Sequence, residues 1–201
     1  MSLKTFVKVS NITNLSDARY CAGMMVDMLG FKIDPAAEDH ITPKDYKEIT
    51  DWVSGVQFVG EFEEAHPINI STALEQYEVD YIQINDLEVI EEIYTINVPI
   101  IFKLKVETQE ELDHFESKLN YLSEMSQMVI VSSSNTRLFK AIDEKIKALD
   151  LEIRLLKGYG INAGDILEDF SGIELEATKE DKPGFKDYGE VMDVLEALEE
   201  D

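Results

Sequence analysis

The chain has 201 residues, of which 44% are hydrophobic and 30% charged, a composition typical of a globular domain. Forty-two acidic residues against 18 basic ones leave a net charge of −24, which disfavours nucleic acid and anionic membranes as partners because both would be repelled. The single cysteine, Cys21, excludes an intrachain disulfide, and no secretory or membrane-length apolar segment is present, so we expect a cytoplasmic protein.

Eight short apolar runs rich in β-branched residues recur along the chain, at an average interval of about 25 residues. This interval is the least that a strand, a helix and two loops require. In chain order, the predicted strands are 5–9, 28–32, 56–62, 81–84, 100–104, 128–131, 153–156 and 172–175.

Amphipathic stretches separate the predicted strands, and several open with residues that cap helices. Asn14, Thr42 and Thr108 each stand where a helix would begin; Pro43 follows Thr42, and Glu111 can complete a capping box with Thr108. Apolar residues at helical spacing mark three helix faces, namely Leu112, Phe115, Leu119 and Leu122, then Phe139, Ile142, Ile146 and Leu149, and finally Val191, Val194, Leu195 and Leu198. Weaker helical patterns cover 63–79 and 86–97.

Eight strands alternating with helices predict an α/β fold, a single-domain (β/α)₈ TIM barrel spanning residues 1–201. An open doubly wound sheet is the alternative, but its dinucleotide-binding form needs glycines after the first strand, and residues 10–14 contain none. Function in a barrel lies at the carboxyl ends of the strands. The residues there are Ser10, Asn11, Asp34, Asn85, Asp86, Lys103, Lys105, Ser132, Ser133, Ser134, Gly158, Gly160 and 176–179.

Motifs at these positions, KVSNITNLSDA (8–18) first among them, resemble those of the phosphoribosylanthranilate isomerase family, which begins K-I-C-G-I-T-x-x-x-D-A. The further matches are DMLGF (27–31), ITP (41–43), FVGEF (58–62), YIQI (81–84), GYGIN (158–162) and PGFKD (183–187), against D-A-L-G-F, I-S-P, V-G-V-F, V-Q-L, A-G-G-L-N and P-G-x-K-D. These matches keep the family's order over nearly the whole chain.

The resemblance implies an aldose–ketose isomerase of tryptophan biosynthesis, which converts N-(5-phosphoribosyl)anthranilate into an aminoketose by an Amadori rearrangement. It also implies a general base at Ser10, where the family has cysteine, and a general acid at Ser132, where the family has aspartate. A serine hydroxyl is not deprotonated near neutral pH without assistance, and it cannot replace a carboxylic acid as proton donor. We therefore expect weak or no isomerase activity.

The resemblance further implies a sugar-phosphate site, with glycines that let backbone N–H groups approach the phosphate. Its residues would be Lys8, Asn85, Gly158, Gly160, Asn162, Thr178 and Lys179. Two departures weaken the site, because Asp39 stands where the family holds an arginine for the anthranilate carboxylate and Glu176 would repel a phosphate. No cofactor is predicted. No metal is predicted either, since there is no His/Cys cluster, although Asp34, Asp39 and Asp86 could meet at the barrel mouth.

Three functions remain open from the sequence. The first is an isomerase that takes its acid and base from residues such as Asp34, Asp86 or Glu176. The second is a non-catalytic barrel that binds a sugar phosphate or a protein, for example other tryptophan-pathway enzymes. The third is a different lyase or isomerase that uses Lys103 or Lys105 in Schiff-base chemistry, against the simpler expectation of a salt-bridged lysine. A monomer and a homodimer are equally compatible with the sequence.

Overall fold

The structure, a computed structural model, describes residues 2–37, 39–63, 66–149, 152–165, 169–177 and 189–200. Eight parallel strands follow one another around a closed barrel, in which the first strand pairs with both the second and the eighth. The strands are β1 Phe6–Ser10, β2 Met28–Lys32, β3 Gln57–Glu61, β4 Tyr81–Ile84, β5 Ile100–Lys105, β6 Met128–Ser132, β7 Arg154–Gly158 and β8 Gly172–Glu176. The predicted TIM barrel is confirmed, and an open sheet is excluded.

The helices surround this barrel, and three of them begin after the predicted caps Asn14, Thr42 and Thr108. They are α1 Leu15–Gly23, α2 Pro43–Thr50, α3 Pro67–Leu74, α4 Leu87–Ile93, α5 Gln109–Asp113, α6 Phe115–Met125, α7 Phe139–Lys147 and α8 Gly189–Leu198. The side chains of Asn14 and Thr42 accept from the backbone N–H groups three residues on, and Thr108 forms the capping box with Glu111. Within the described part of the chain, no helix is long and apolar enough to cross a membrane.

Within the described residues, the alternation of strands and helices varies at two places. One amphipathic helix was expected after Thr108, but the backbone leaves helical geometry at His114 (φ −91°, ψ 2°), so α5 and α6 both lie between β5 and β6. Residues 159–165 and 169–171, which connect β7 to β8, contain no helix. Gly160 and Gly164 there have φ values of +54° and +87°, which interrupt helical geometry.

Two apolar layers hold the barrel together. The barrel interior is filled toward its amino-terminal end by Met28, Val59, Ile101, Met128, Ile130 and Leu156, and a larger cluster fills the space between strands and helices. Cys21 belongs to the outer cluster and is buried, as expected. Toward the carboxyl ends of the strands, the inward positions change to Lys8, Ser10, Glu61, Gln83 and Glu174, which are all buried. The polar part of the core therefore lies directly beneath the barrel mouth.

Candidate functional site

A network of buried ion pairs crosses the upper barrel interior. The Lys8 side chain is fully buried, and its Nζ lies 2.6 Å from Glu61 Oε1 and 2.9 Å from Glu174 Oε1. Lys8 Nζ also donates to Ser10 Oγ at 2.5 Å, while Ser10 Oγ donates to Glu174 Oε1 at 2.6 Å. The second carboxylate oxygen of Glu174 lies 2.8 Å from Lys103 Nζ. Two ammonium groups thus face two carboxylates, which compensates the charge of each member.

Two glycines make room for these carboxylates, because a side chain at either position would lie against them. A Cβ at Gly30 would overlap Glu61 Oε1 and would lie 3.1 Å from Lys8 Nζ. A Cβ at Gly158 would lie 3.2 Å from Glu174 Oε2 and 3.0 Å from Ile130. Gly158, which the resemblance assigned to phosphate binding, therefore has a packing role that is visible in the structure.

The ion pairs keep Glu174 and Lys103 charged near neutral pH. Burial of Glu174 opposes ionisation, but the ion pairs with Lys8 and Lys103 outweigh it and lower the pKa of Glu174 to about 2. Burial likewise lowers the pKa of Lys103, yet the carboxylates of Glu174, Glu61 and Glu176 more than reverse this effect, so the pKa of Lys103 is raised overall. Because a Schiff-base lysine needs a neutral amine, the ion-paired Lys103 is poorly suited to that chemistry.

Above the network, a cavity of about 220 Å³ opens at the barrel mouth. Its walls are mostly polar and carry both signs of charge. They consist of Ser10, Lys32, Glu61, Phe62, Glu63, Gln83, Ile84, Asn85, Lys103, Lys105 and Glu176. Ser10, Asn85 and Lys103 thus come together here as the barrel rule predicts, whereas Lys8 lies fully buried within the barrel.

The two serines at the family's acid and base positions occupy different surroundings. Ser10 lines the cavity, but Ser132 is absent from its walls. Ser132 ends β6 on the face that carries Ile130, and its buried Oγ has no hydrogen-bond partner among the described residues. Asn11, where the family has glycine, has a φ of +60°, a conformation that asparagine tolerates, and its backbone N–H donates to Glu61 Oε2 at 3.2 Å.

In the loop after β7, polar groups donate hydrogen bonds to a carboxylate of the same loop. Gly160 needs its positive φ and its missing side chain, because a Cβ there would lie 2.7 Å from the Phe139 ring. The backbone N–H of Asn162 donates to Asp165 Oδ2 at 2.8 Å, and its side-chain amide donates to the same oxygen at 3.3 Å. Asp165 therefore holds donors that a phosphate would need. Thr178 and Lys179, the predicted phosphate ligands of the eighth loop, lie outside the described residues.

Solved structures of phosphoribosylanthranilate isomerases share this fold. Monomers generated from the dimeric enzyme of Thermotoga maritima are 20% identical over 96% of this chain and 98% of their own, with a TM-score of 0.73. The enzymes of Thermus thermophilus (18% identity, TM-score 0.71) and Pyrococcus furiosus (17%, 0.70) cover the same shares. No protein-family model matches the chain, and no curated protein matches its sequence. The likeness shows a common barrel from end to end.

Three of the other acidic residues predicted at the barrel mouth make local contacts. Asp34 is buried and accepts from the Ala36 N–H, while the exposed Asp86 caps α4. Asp39 pairs with Lys32 at 3.2 Å, and Glu176 stands exposed at the rim of the cavity. Among the described residues, no cluster of histidine, cysteine or acidic side chains could hold a metal ion.

Sequence reasoning missed three central residues, Glu61, Gln83 and Glu174. Each follows an inward-facing position by two residues along its strand, so strand alternation could have placed it inside the barrel. A charged or amide side chain at such a position needs a partner, and Lys8 on β1 was available to provide one. The usable signal was therefore a glutamate within each of two apolar strand runs, FVGEF and GIELE.

Proposed function

We propose that this protein is a divergent member of the phosphoribosylanthranilate isomerase family, whose barrel mouth binds a small ligand without catalysing the Amadori rearrangement. The ordered motifs and the shared fold support the family. One observation carries the loss of catalysis: the Ser10 hydroxyl, at the family's general-base position, is held between the Lys8 ammonium and the Glu174 carboxylate.

This environment works against a basic Ser10. The rearrangement requires a group that removes a proton from the sugar carbon C2. Ser10 could serve only as an alkoxide, and the neighbouring Glu174 is a poor acceptor for the hydroxyl proton because its pKa is about 2. A serine hydroxyl is a far weaker acid than that carboxyl group, so proton transfer between them is strongly unfavourable.

The acid position and the phosphate loop support the same conclusion. Ser132 offers a hydroxyl where the reaction needs a carboxylic acid, and Asp165 occupies backbone and side-chain donors of the loop after β7. A general acid or base typically accelerates a reaction by 10²–10⁴-fold. Loss of both therefore predicts isomerase activity lower by about 10⁴-fold or more than in an enzyme that keeps them.

The test is turnover of N-(5-phosphoribosyl)anthranilate by the purified protein, measured beside the Thermotoga maritima enzyme. We expect kcat/KM to be lower by about 10⁴-fold or more, and a double variant, Ser10→Cys with Ser132→Asp, to regain at least about tenfold. The matched control places the same residues on outer helices, Ser71→Cys with Ser117→Asp, and should regain nothing. Turnover by the unaltered protein within about tenfold of that enzyme would contradict the proposal.

A further inference from the structure

The size of the mouth cavity limits what it can hold. Its volume of about 220 Å³ equals that of about seven water molecules in the liquid. Pockets for drug-sized ligands begin at about 300 Å³. An aromatic ring, a ribose and a phosphate together exceed this space, whereas a free amino acid of the size of serine fits within it. The cavity therefore suits a small metabolite.

Charges of opposite sign are separated along the cavity wall. Lys103 and Lys105 belong to β5, whereas Glu61 ends β3 and lies beside Gln83 of β4 in the strand register. Lys105 makes no ion pair within the described ranges, and Lys103 gives only one of its three donors to Glu174. Donors thus stand on one strand, and acceptors stand on the two strands before it.

The remaining charges of the wall fit the same division. Lys32 is already paired with Asp39 at 3.2 Å and with Glu63 at 3.8 Å, so neither Lys32 nor Glu63 is left without an opposite charge. Glu176 adds a further carboxylate at the exposed rim. A phosphate dianion could pair with Lys103 and Lys105 but would also face the carboxylates of Glu61 and Glu176, which attract a positively charged group.

A buried amide atom points to a missing donor. Gln83 is only 6% exposed, it lines the cavity, and its Oε1 has no hydrogen-bond partner among the residues that the structure describes. Buried polar atoms in folded proteins nearly always find partners. Glu61, its register neighbour, accepts from Lys8 and from the Asn11 N–H, and its carboxylate oxygens keep further lone pairs. An ammonium group beside these two residues would satisfy both.

We propose that the barrel mouth binds an amino acid-sized zwitterion, with its carboxylate at Lys103 and Lys105 and its ammonium group at Gln83 and Glu61. This inference rests on the proposed function, since it names the ligand class of the same site. A simple anion would leave Gln83 Oε1 without a donor, and a simple amine would leave Lys105 without a counter-charge. A ligand with both charges satisfies the two sides together.

The experiment is calorimetric titration of the unaltered protein with glycine, L-alanine, L-serine and β-alanine, beside acetate, ethylamine and ribose 5-phosphate. We expect saturable binding of at least one zwitterion, and binding of acetate and ethylamine weaker by about tenfold or more. Saturable binding of ribose 5-phosphate without any zwitterion would overturn the inference, as would a series in which no compound binds. Isomerase turnover is measured separately. Turnover within about tenfold of the Thermotoga maritima enzyme would contradict the proposed function, whatever these titrations show.

Two variants test the assigned contacts. Lys105→Gln removes an exposed ammonium group and should weaken zwitterion binding by about tenfold or more, since a hydrogen bond to a charged group is lost. The matched control is Lys140→Gln on the outer face of α7, which should leave the affinity unchanged. Gln83→Met keeps the size of the side chain but removes the amide, and it should weaken binding while unfolding remains cooperative. Unchanged affinity in both Lys105→Gln and Gln83→Met would overturn the proposal.

Discussion

Lys8 shows why a charged residue can stay inside this barrel. Its fully buried ammonium group contacts two carboxylates and one hydroxyl. Removing one partner of a buried ion pair leaves an uncompensated charge, which is far more costly than the net worth of the pair. The network is therefore fragile toward single substitutions, although it contributes little net stability compared with an apolar core of the same shape.

We predict that Lys8→Met lowers the free energy of unfolding by about 3–5 kcal/mol, because Glu61 and Glu174 lose their shared counter-charge. Urea denaturation followed by circular dichroism measures this difference. Lys4→Met, at an exposed position on the amino-terminal side of the same strand, is the matched control and should change stability by less than about 0.5 kcal/mol. Equal stability of the two variants would show that the buried network is not ionised as described.

The sequence could indicate which side of each strand these residues occupy, but not which residues would meet. Lys8 is separated by 53 positions from Glu61 and by 166 from Glu174. Only closure of the barrel brings β1 between β2 and β8 and sets the levels at which their side chains lie. The resemblance therefore identifies Ser10, whereas the charges that surround Ser10 are brought together only by the three-dimensional fold.

At the scale of elements, the strands were predicted to within two residues at each end, because apolar β-branched runs and barrel strands share one cause, burial on both faces. The helix starts at Asn14, Thr42 and Thr108 also followed, since capping depends on neighbouring residues alone. The break at His114 could not be predicted. The buried face of Leu112, Phe115 and Leu119 continues across it without a change of pattern.

The loop after β7 provides an element-scale prediction. Gly160→Ala would place a side chain at a φ of +54° and a Cβ 2.7 Å from the Phe139 ring at the start of α7. We expect a loss of roughly 2 kcal/mol or more in the free energy of unfolding. Gly23→Ala is the matched control, because a Cβ there meets no atom within 4 Å and the residue ends helix α1. Thermal unfolding of the two variants measures the difference in stability. A Gly160→Ala variant as stable as Gly23→Ala would show that the loop can move away from α7.

At the scale of the whole molecule, a closed barrel can form from very different residues at most positions. Structures only 17–20% identical to this chain superpose over 96% of it. Inward alternation, short loops and helix caps suffice for that architecture, so the fold was predictable from pattern. The chemistry of the mouth depends on a few positions such as Ser10, Gln83 and Ser132, which pattern leaves open.

The net charge of −24 gives the molecule a strong response to acid, in which Glu174 should be distinguishable from the surface. The folded-state pKa of Glu174 is lowered from its ordinary value of 4.5 to about 2. Its contribution is therefore fully present above about pH 4.5 and is lost as the pH falls toward 2. Protonation of surface carboxylates in acid also relieves the repulsion between them, which is a separate effect.

Comparison with Glu174→Gln separates these effects, because the two proteins share every surface acid. We predict that the wild type is more stable by roughly 3 kcal/mol near neutral pH and that this difference shrinks toward zero as the pH approaches 2. Urea unfolding at a series of pH values measures the gap. Glu116→Gln, at an exposed position on α6, is the matched control. Its plot of unfolding free energy against pH should run parallel to that of the wild type. A gap between wild type and Glu174→Gln that persists unchanged to pH 2 would mean that Lys8 and Lys103 do not hold Glu174 ionised, and Glu174 would then no longer be a poor acceptor for the Ser10 hydroxyl proton.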